Sequence, residues 1–211
     1  PPLNAAALAD MIENLLWERK KVHCSMIGYS QGGRIVMGLI HRLPHRLQEV
    51  FILAPDGLQP NKIRNWVSRT RSGRGIAKLF VKNAALLQGT IRMLARFGFI
   101  SEKIKQFYLH QSASEKDRFR IYHTWLCLRN YETHPHLMDH YCRTRNIRTA
   151  FIMGKYDTII PVKLAERFLQ TMQHKADLHI LDCGHKLLQS RSSIARIILD
   201  KNPEKPVERN G

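Results

Sequence analysis

The chain has 211 residues, 44% hydrophobic and 24% charged, which suits one globular domain with an insertion and excludes wholesale disorder. No run reaches 18 apolar residues, so the sequence contains no segment that would span a bilayer. The formal net charge is +17, but no long Lys/Arg block and no RNA-binding motif accompanies it, so we expect no specific nucleic-acid binding.

The first quarter of the chain alternates between helix and strand. An apolar residue every three or four positions predicts a helix after Asn4, and the apolar run 22–27 predicts a buried strand. Residues 28–33 form a predicted turn before a second amphipathic helix over 35–43. A second strand is predicted over 50–54, where β-branched and aromatic residues precede a Pro-Asp-Gly turn.

Residues 58–148 show helical periodicity and no convincing strand. They hold 18 basic and five acidic side chains, so most of the excess positive charge lies here. We expect one long or broken helix with a weak point at Gly89, and a capping box in which Ser114 pairs with Asp117. Pro135 is a suitable first residue for one more helix. The segment therefore reads as an all-helical insertion.

Alternation returns after residue 149. Strands are predicted over 150–153 and 178–181, with helices over 161–173 and 187–199. The polar residues 201–211 are expected to be frayed. Strands that alternate with helices favour a mostly parallel sheet with helices on both faces, so the fold class is α/β with an inserted helical segment.

The pentapeptide Gly28-Tyr29-Ser30-Gln31-Gly32 matches the G-x-S-x-G nucleophile elbow and lies between a predicted strand and a predicted helix. In such an elbow a strained turn exposes the serine hydroxyl. We expect side chains in place of Gly28 and Gly32 to collide with neighbouring backbone, and Gly33 to let the next helix pack closely. The pattern predicts Ser30 as a nucleophile.

A serine hydroxyl needs a base to accept its proton. His185 follows a predicted strand, so it lies at the same edge of the sheet as Ser30. Asp157 and Asp56 each follow a strand and are alternative partners that would orient the imidazole, and the Ser-Asp-His order along the chain fits either. We favour Asp157, with Asp56 as the alternative acid.

The sequence resembles the α/β-hydrolase superfamily, in the branch with a helical cap inserted after the sixth strand. The matching pieces are G-Y-S-Q-G-G at 28–33, L-A-P-D-G at 53–57, G-K-Y-D-T-I-I-P at 154–161 and C-G-H at 183–185. The resemblance implies Ser30 as nucleophile, Asp157 as acid, His185 as base and the backbone N–H of Gln31 as an oxyanion-hole donor. It also implies a hydrolase core of 1–57 and 149–200 and a cap of 58–148.

Members of this family begin with about four strands that have no counterpart before the first predicted helix. We therefore expect a sheet without its N-terminal strands, an oxyanion hole with one recognisable donor, and weak activity in the chain as given.

The expected function is a serine hydrolase acting on an ester or a related carbonyl substrate, without a cofactor or metal ion. The substrate is expected to be a small molecule, either acidic, because the cap is basic, or apolar, because aromatic residues of the cap suit an acyl or aryl group. The alternative is a non-catalytic binding protein whose basic cap holds an anionic partner. These aromatic residues are Trp66, Phe80, Phe97, Phe99, Tyr108, Trp125 and Tyr131.

The four cysteines form no C-x-x-C pair, so a zinc ribbon or a thioredoxin-type site is not expected. Cys24 and Cys183 lie in apolar runs and are expected to be buried thiols, which favours a reducing compartment. The first residues show no signal-peptide pattern. We therefore expect a cytoplasmic protein.

Overall fold

A computed structural model describes residues 2–131 and 133–200, so the predicted frayed tail of 201–211 lies outside the described residues. Four parallel strands form one sheet in the order of the chain. The strands are β1 (Cys24–Tyr29), β2 (Leu47–Leu53), β3 (Arg148–Gly154) and β4 (Asp177–Leu181). All four predicted strands are present, which confirms the α/β class.

The helices follow the predicted alternation. They are α1 (Ala5–Glu18), α2 (Gln31–Leu39), α3 (Lys62–Arg69), α4 (Arg71–Lys82), α5 (Ala84–Arg96), α6 (Glu102–Gln111), α7 (Glu115–Cys127), α8 (Pro135–Thr144), α9 (Val162–Gln170) and α10 (Arg191–Leu199). Pro135 is the first residue of α8, as its fixed φ favours.

The boundaries of β1 differ from the prediction. The strand begins two residues later than expected and extends to Tyr29, which pairs with Leu53 of β2. Val22, at the predicted start, is exposed instead of buried. The consequence is that β1 leads directly into Ser30 with no intervening loop.

Alternate residues of β3 pack against helices on opposite faces of the sheet. Ile152 belongs to a buried cluster with Ile194 and Ile197 of α10. The ring of its neighbour Phe151 lies 5.8 Å from the ring of Phe168 on α9. Side chains alternate across a strand, so helices on both faces require consecutive apolar residues, as in residues 150–153 of β3.

The described chain divides into two compact units. The sheet unit comprises residues 5–59 and 133–200, and the helical unit comprises residues 2–4 and 60–131. The helical unit contains α3 to α7, whereas α8 groups with the sheet unit. The helical unit is therefore shorter than the insertion expected over 58–148.

Side chains that accept hydrogen bonds from backbone N–H groups mark the helix starts in the helical unit. Ser114 accepts from the Asp117 N–H at 3.0 Å, which confirms the predicted cap of α7.

The expected weak point at Gly89 is wrong. The break between α4 and α5 lies at Asn83, whose side chain accepts from the Leu86 N–H at 3.0 Å. Gly89 lies inside α5.

All four cysteines are free thiols. None of the helices in residues 2–131 and 133–200 combines the length and the apolar character needed to cross a bilayer.

Candidate active site

Ser30 occupies the turn between β1 and α2 in a strained backbone conformation. Its φ is 53° and its ψ is −112°, in a region that residues with a side chain rarely adopt. The Ser30 N–H donates to the Leu53 C=O at 2.8 Å, and the Asp56 N–H donates to the Ser30 C=O at 2.9 Å. These bonds to the end of β2 stabilise a backbone conformation that would otherwise cost about 1–3 kcal/mol.

Two glycines allow this turn, but they are not the two that the motif suggested. A Cβ on Gly28 would lie 2.5 Å from the Gly32 C=O oxygen, as expected. A Cβ on Gly33 would lie 2.7 Å from the Cβ of Pro55. The collision expected at Gly32 is wrong, because a Cβ placed there would meet no heavy atom within 4 Å beyond its chain neighbours and the backbone of α2. The close approaches therefore involve Gly28 and Gly33.

His185 lies in the loop that follows β4, as the strand order predicted. Its backbone C=O accepts a hydrogen bond from the Tyr29 O–H at 2.6 Å. Gly154, at the end of β3, lets this loop approach, since a Cβ there would lie 2.5 Å from the Gly184 C=O oxygen. Tyr29 and Gly154 thus fix the position of the loop that contains His185.

The side chains of Ser30, His185 and Asp157 form a continuous series of contacts. The His185 Nε2 lies 3.5 Å from the Ser30 Oγ, and the His185 Nδ1 lies 2.7 Å from the Asp157 Oδ2. A carboxylate accepts, so Nδ1 donates to Asp157 and the neutral ring presents Nε2 as an acceptor. The serine contact is at the long limit of a hydrogen bond, as is common before substrate binds.

Asp157 is held rigidly by backbone. Its side chain is fully buried, and its Oδ1 accepts from the N–H groups of Ile159 and Ile160, each at 2.8 Å. One carboxylate oxygen therefore binds the loop while the other faces the imidazole. Burial, followed by the negative charge of Asp157, raises the pKa of Tyr29, which keeps its hydroxyl protonated as a donor.

Asp56, the alternative acid, has a different partner. Its Oδ2 lies 3.8 Å from the Nη1 of Arg34, a buried guanidinium on α2. Gly57, with a φ of +97°, follows it, and a Cβ there would lie 3.0 Å from the Cγ of Arg34. An ion pair and a tight turn account for Asp56 at this position.

Gln31 is the first residue of α2. The first N–H groups of a helix have no acceptor within the helix, and they lie at its positive end. The Gln31 N–H, adjacent to Ser30, is therefore a donor of the type that stabilises an oxyanion.

Sequence reasoning missed Tyr29 and Gly154. Tyr29 fills a position that the elbow motif leaves unspecified, so no sequence signal marks it. Gly154 opens the G-K-Y-D segment, but its role depends on the approach of a loop from another strand.

No protein-family model matches the sequence, and no curated protein sequence is similar to it. Solved structures of hydrolases are similar in fold. An α/β hydrolase from a Medee basin deep-sea metagenome library has 11% identity and a TM-score of 0.61, over 100% of this chain and 76% of its own.

Two further solved structures of hydrolases are also similar in fold to this chain. A thermophilic esterase from Thermogutta terrifontis has 16% identity and a TM-score of 0.57, over 94% of this chain and 71% of its own. A meta-cleavage product hydrolase from Pseudomonas fluorescens IP01 has 14% identity and a TM-score of 0.53, over 94% and 71%. At such identities the likeness shows the fold of the chain.

Proposed function

The chain has the α/β-hydrolase fold, and from this premise we propose that it is a serine hydrolase that cleaves an ester or a related carbonyl substrate through an acyl-enzyme. The observation that carries the proposal is the series of contacts from Ser30 Oγ through His185 to the buried Asp157. The esterases and the meta-cleavage product hydrolase of similar fold support this reaction class.

In the proposed acylation step, the Ser30 Oγ attacks the substrate carbonyl carbon while His185 Nε2 accepts the hydroxyl proton. The imidazolium that forms donates through Nδ1 to Asp157, 2.7 Å away, whose charge stabilises it. His185 then transfers the proton to the leaving group, and the acyl-enzyme remains on Ser30. In deacylation, His185 accepts a proton from a water molecule whose oxygen attacks the acyl carbon. The bond between that carbon and Ser30 Oγ then breaks, His185 returns the proton to Oγ, and the acid is released.

We assign the Gln31 N–H to the oxyanion of the tetrahedral intermediate. The positive end of α2 adds to its field, and one donor of this kind contributes about 10²–10³ in rate. We assign the role of the cap to the helical unit and the catalytic role to the sheet unit, which contains all three side chains.

Covalent labelling tests the proposal directly. A fluorophosphonate probe should modify Ser30, as shown by mass spectrometry of the labelled peptide, and Ser30→Ala should abolish labelling. Ser25→Ala is the matched control, because Ser25 lies on β1, which leads to Ser30, is exposed and donates to Glu49. Absence of label on Ser30 in the folded protein would exclude the serine hydrolase.

The second candidate function is a binding protein for an anionic partner. The observation that favours it is the composition of residues 60–131, which hold 15 basic and three acidic side chains. This candidate predicts salt-sensitive binding of a polyanion that Ser30→Ala leaves unchanged, together with no fluorophosphonate labelling.

A further inference from the structure

Two of the aromatic residues expected to line an apolar pocket lie instead at the surface of the helical unit. Phe97 and Phe99 are 68% and 76% exposed, in the turn of residues 97–100 that joins α5 to α6. Met93, one helical turn before Phe97, is 51% exposed. A cluster of exposed large apolar side chains is a candidate interaction surface. We call residues 92–103 the α5–α6 tip.

The backbone of the turn has a fixed conformation that displays the two rings. The Gly98 N–H donates to the Ala95 C=O at 3.0 Å. The Phe99 N–H donates to the Leu94 C=O at 2.9 Å. These two hydrogen bonds and the φ of +75° at Gly98 define a Schellman motif at the end of α5. Because these N–H groups are satisfied within the chain, moving the turn into surroundings without water costs less.

Basic side chains lie on both sides of the apolar turn. Arg92 and Arg96 are exposed on the last two turns of α5, and Lys103 is exposed on the first turn of α6. Glu102 is the one acidic residue in the sequence 84–111, and its carboxylate lies 2.6 Å from the Lys105 Nζ. The α5–α6 tip therefore combines an apolar turn with a positively charged rim.

This order of side chains matches the profile of an anionic bilayer surface. In such a bilayer the charged headgroups lie outside the hydrocarbon region, so basic side chains behind an apolar turn meet headgroups while the turn meets acyl chains. A soluble polyanion would contact the same basic side chains. It would give Phe97, Phe99 and Met93 no hydrocarbon to pack against.

We propose that the α5–α6 tip attaches the protein to the surface of an anionic lipid bilayer, with the rings of Phe97 and Phe99 among the acyl chains. The side chains of Arg92, Arg96 and Lys103 then lie at the headgroups. The attachment does not depend on catalysis by Ser30. It differs from the binding of a soluble anionic partner, because it requires the two phenylalanines.

Sedimentation with sucrose-loaded vesicles tests the attachment in the full chain. Every protein in this test carries Ser30→Ala, so that no lipid ester is hydrolysed. The protein should bind vesicles of phosphatidylcholine and phosphatidylserine in equal parts at least about tenfold more tightly than vesicles of phosphatidylcholine alone. Added salt should weaken binding to the anionic vesicles.

The apolar contribution is tested by replacing the two rings. Phe97→Ser combined with Phe99→Ser should weaken binding to the anionic vesicles by more than about tenfold, because two side chains no longer leave water. Trp17→Ser is the matched control, since Trp17 is an aromatic residue of the sheet unit that is 82% exposed. This control should bind the vesicles as tightly as the parent.

The contribution of charge is tested at a constant change in net charge. Arg96→Glu combined with Lys103→Glu should weaken binding to the anionic vesicles by more than about tenfold. Lys163→Glu combined with Arg167→Glu makes the same change in net charge at exposed positions of α9. This control should weaken binding by less than about threefold, because salt screens charges that do not contact the bilayer.

Lipid quenching distinguishes insertion from adsorption. Phe99→Trp adds a tryptophan to the α5–α6 tip. Vesicles whose acyl chains carry bromine should quench this added emission, and binding should shift it to shorter wavelength. Emission from the bound protein that is neither shifted nor quenched would show that the ring stays outside the hydrocarbon, and would overturn the proposal.

Two further results would overturn the proposal. The first is no binding to the anionic vesicles at low salt. The second is equal binding by the folded Phe97→Ser, Phe99→Ser protein. If that variant instead loses self-association or binding to single-stranded DNA, the tip belongs to an interface with a second copy or with nucleic acid. If it does not fold, as judged by circular dichroism, the Phe99→Trp quenching decides. Fluorophosphonate labelling is measured on the chain that retains Ser30, so the two proposals fail separately.

Discussion

The sheet unit and the helical unit of this chain differ in how completely they bury their secondary structure. Every residue of β3 after Arg148 is buried, whereas α5 has one buried residue, Ile91, and α6 has none. Burial on both faces fixes the ends and the register of a strand. A half-exposed helix depends more on its caps and on individual contacts, and it opens locally at a lower free energy.

The two units also differ in their charge, and the less buried unit is the more basic one. The sheet unit, residues 5–59 and 133–200, holds 16 basic and 11 acidic side chains, whereas residues 60–131 hold 15 basic and three acidic side chains. Charged side chains are tolerated where surface dominates, and like charges repel within a compact unit. The comparison teaches that the candidate catalytic side chains lie in the unit with buried strands, while most of the excess positive charge lies in the unit with half-exposed helices.

The largest expected effect is on the acid of the proposed triad. Asp157→Asn should lower kcat by about 10⁴, because the amide no longer holds the imidazole in the required tautomer. Asp56→Asn should retain at least a tenth of the activity, a loss under about 1.4 kcal/mol of barrier. Ester hydrolysis by both variants, with folding verified by circular dichroism, measures this. The reverse ranking would assign the role to Asp56.

The second-largest expected effect concerns the packing of glycines around Ser30. Gly28→Ala places a methyl 2.5 Å from a backbone oxygen and should lower the free energy of unfolding by about 1–3 kcal/mol. Gly32→Ala is the matched control, since its methyl would meet no atom within 4 Å beyond its chain neighbours and the backbone of α2, and alanine favours the helix by about 0.5–1 kcal/mol. Urea denaturation distinguishes the two. Equal destabilisation would contradict the close approach at Gly28.

The charge of the helical unit should affect the rate with an anionic substrate. Lys78→Glu combined with Lys82→Glu, both exposed on α4, should lower kcat/KM for an anionic ester about two- to tenfold at low salt. Lys163→Glu, exposed on α9, serves as the control in the sheet unit. A salt-independent rate, or an equal effect on a neutral ester, would remove the steering role.

The caps of the helical unit should matter more than its glycines. Asn83→Ala removes the acceptor for the Leu86 N–H and should lower stability by about 1 kcal/mol. Gly89→Ala should raise stability by up to about 1 kcal/mol, because the position is helical and its Cβ would meet no atom within 4 Å beyond its chain neighbours and the backbone of α5. Thermal unfolding measures both. Unchanged stability of Asn83→Ala would contradict the role of the cap, and destabilisation by Gly89→Ala would contradict the open space at that position.

The smallest effect concerns acid stability of the sheet unit. Burial is the main cause that lowers the pKa values of His41 and His179 below the ordinary 6.5. The unfolded chain therefore binds more protons in this range, so the free energy of unfolding should decrease as pH falls below about 6.5. Replacing both histidines with glutamine should flatten this dependence in urea titrations at pH 7.5 and 5.5, whereas His110→Gln, exposed on α6, serves as the control.

Much of the fold was predictable because its signals are local. Apolar periodicity identified the four strands, and Ser114 with Asp117 identified the start of α7. Positions that depend on neighbours were predicted less well. The break at Asn83 was assigned to Gly89, since both residues are unfavourable within a helix and only the cap contact separates them.

The sequence by itself determined that Ser30 lies on a sharp strand-to-helix turn, because the alternation of apolar strand, glycines and amphipathic helix is contained within a few consecutive residues. It left two carboxylates, Asp56 and Asp157, at the ends of adjacent strands. Only the tertiary structure decided between their contacts: Arg34 of α2 meets Asp56, while the loop after β4 brings His185 to Asp157. Such contacts depend on how three separate loops converge at one edge of the sheet, and no local pattern in the chain encodes that convergence.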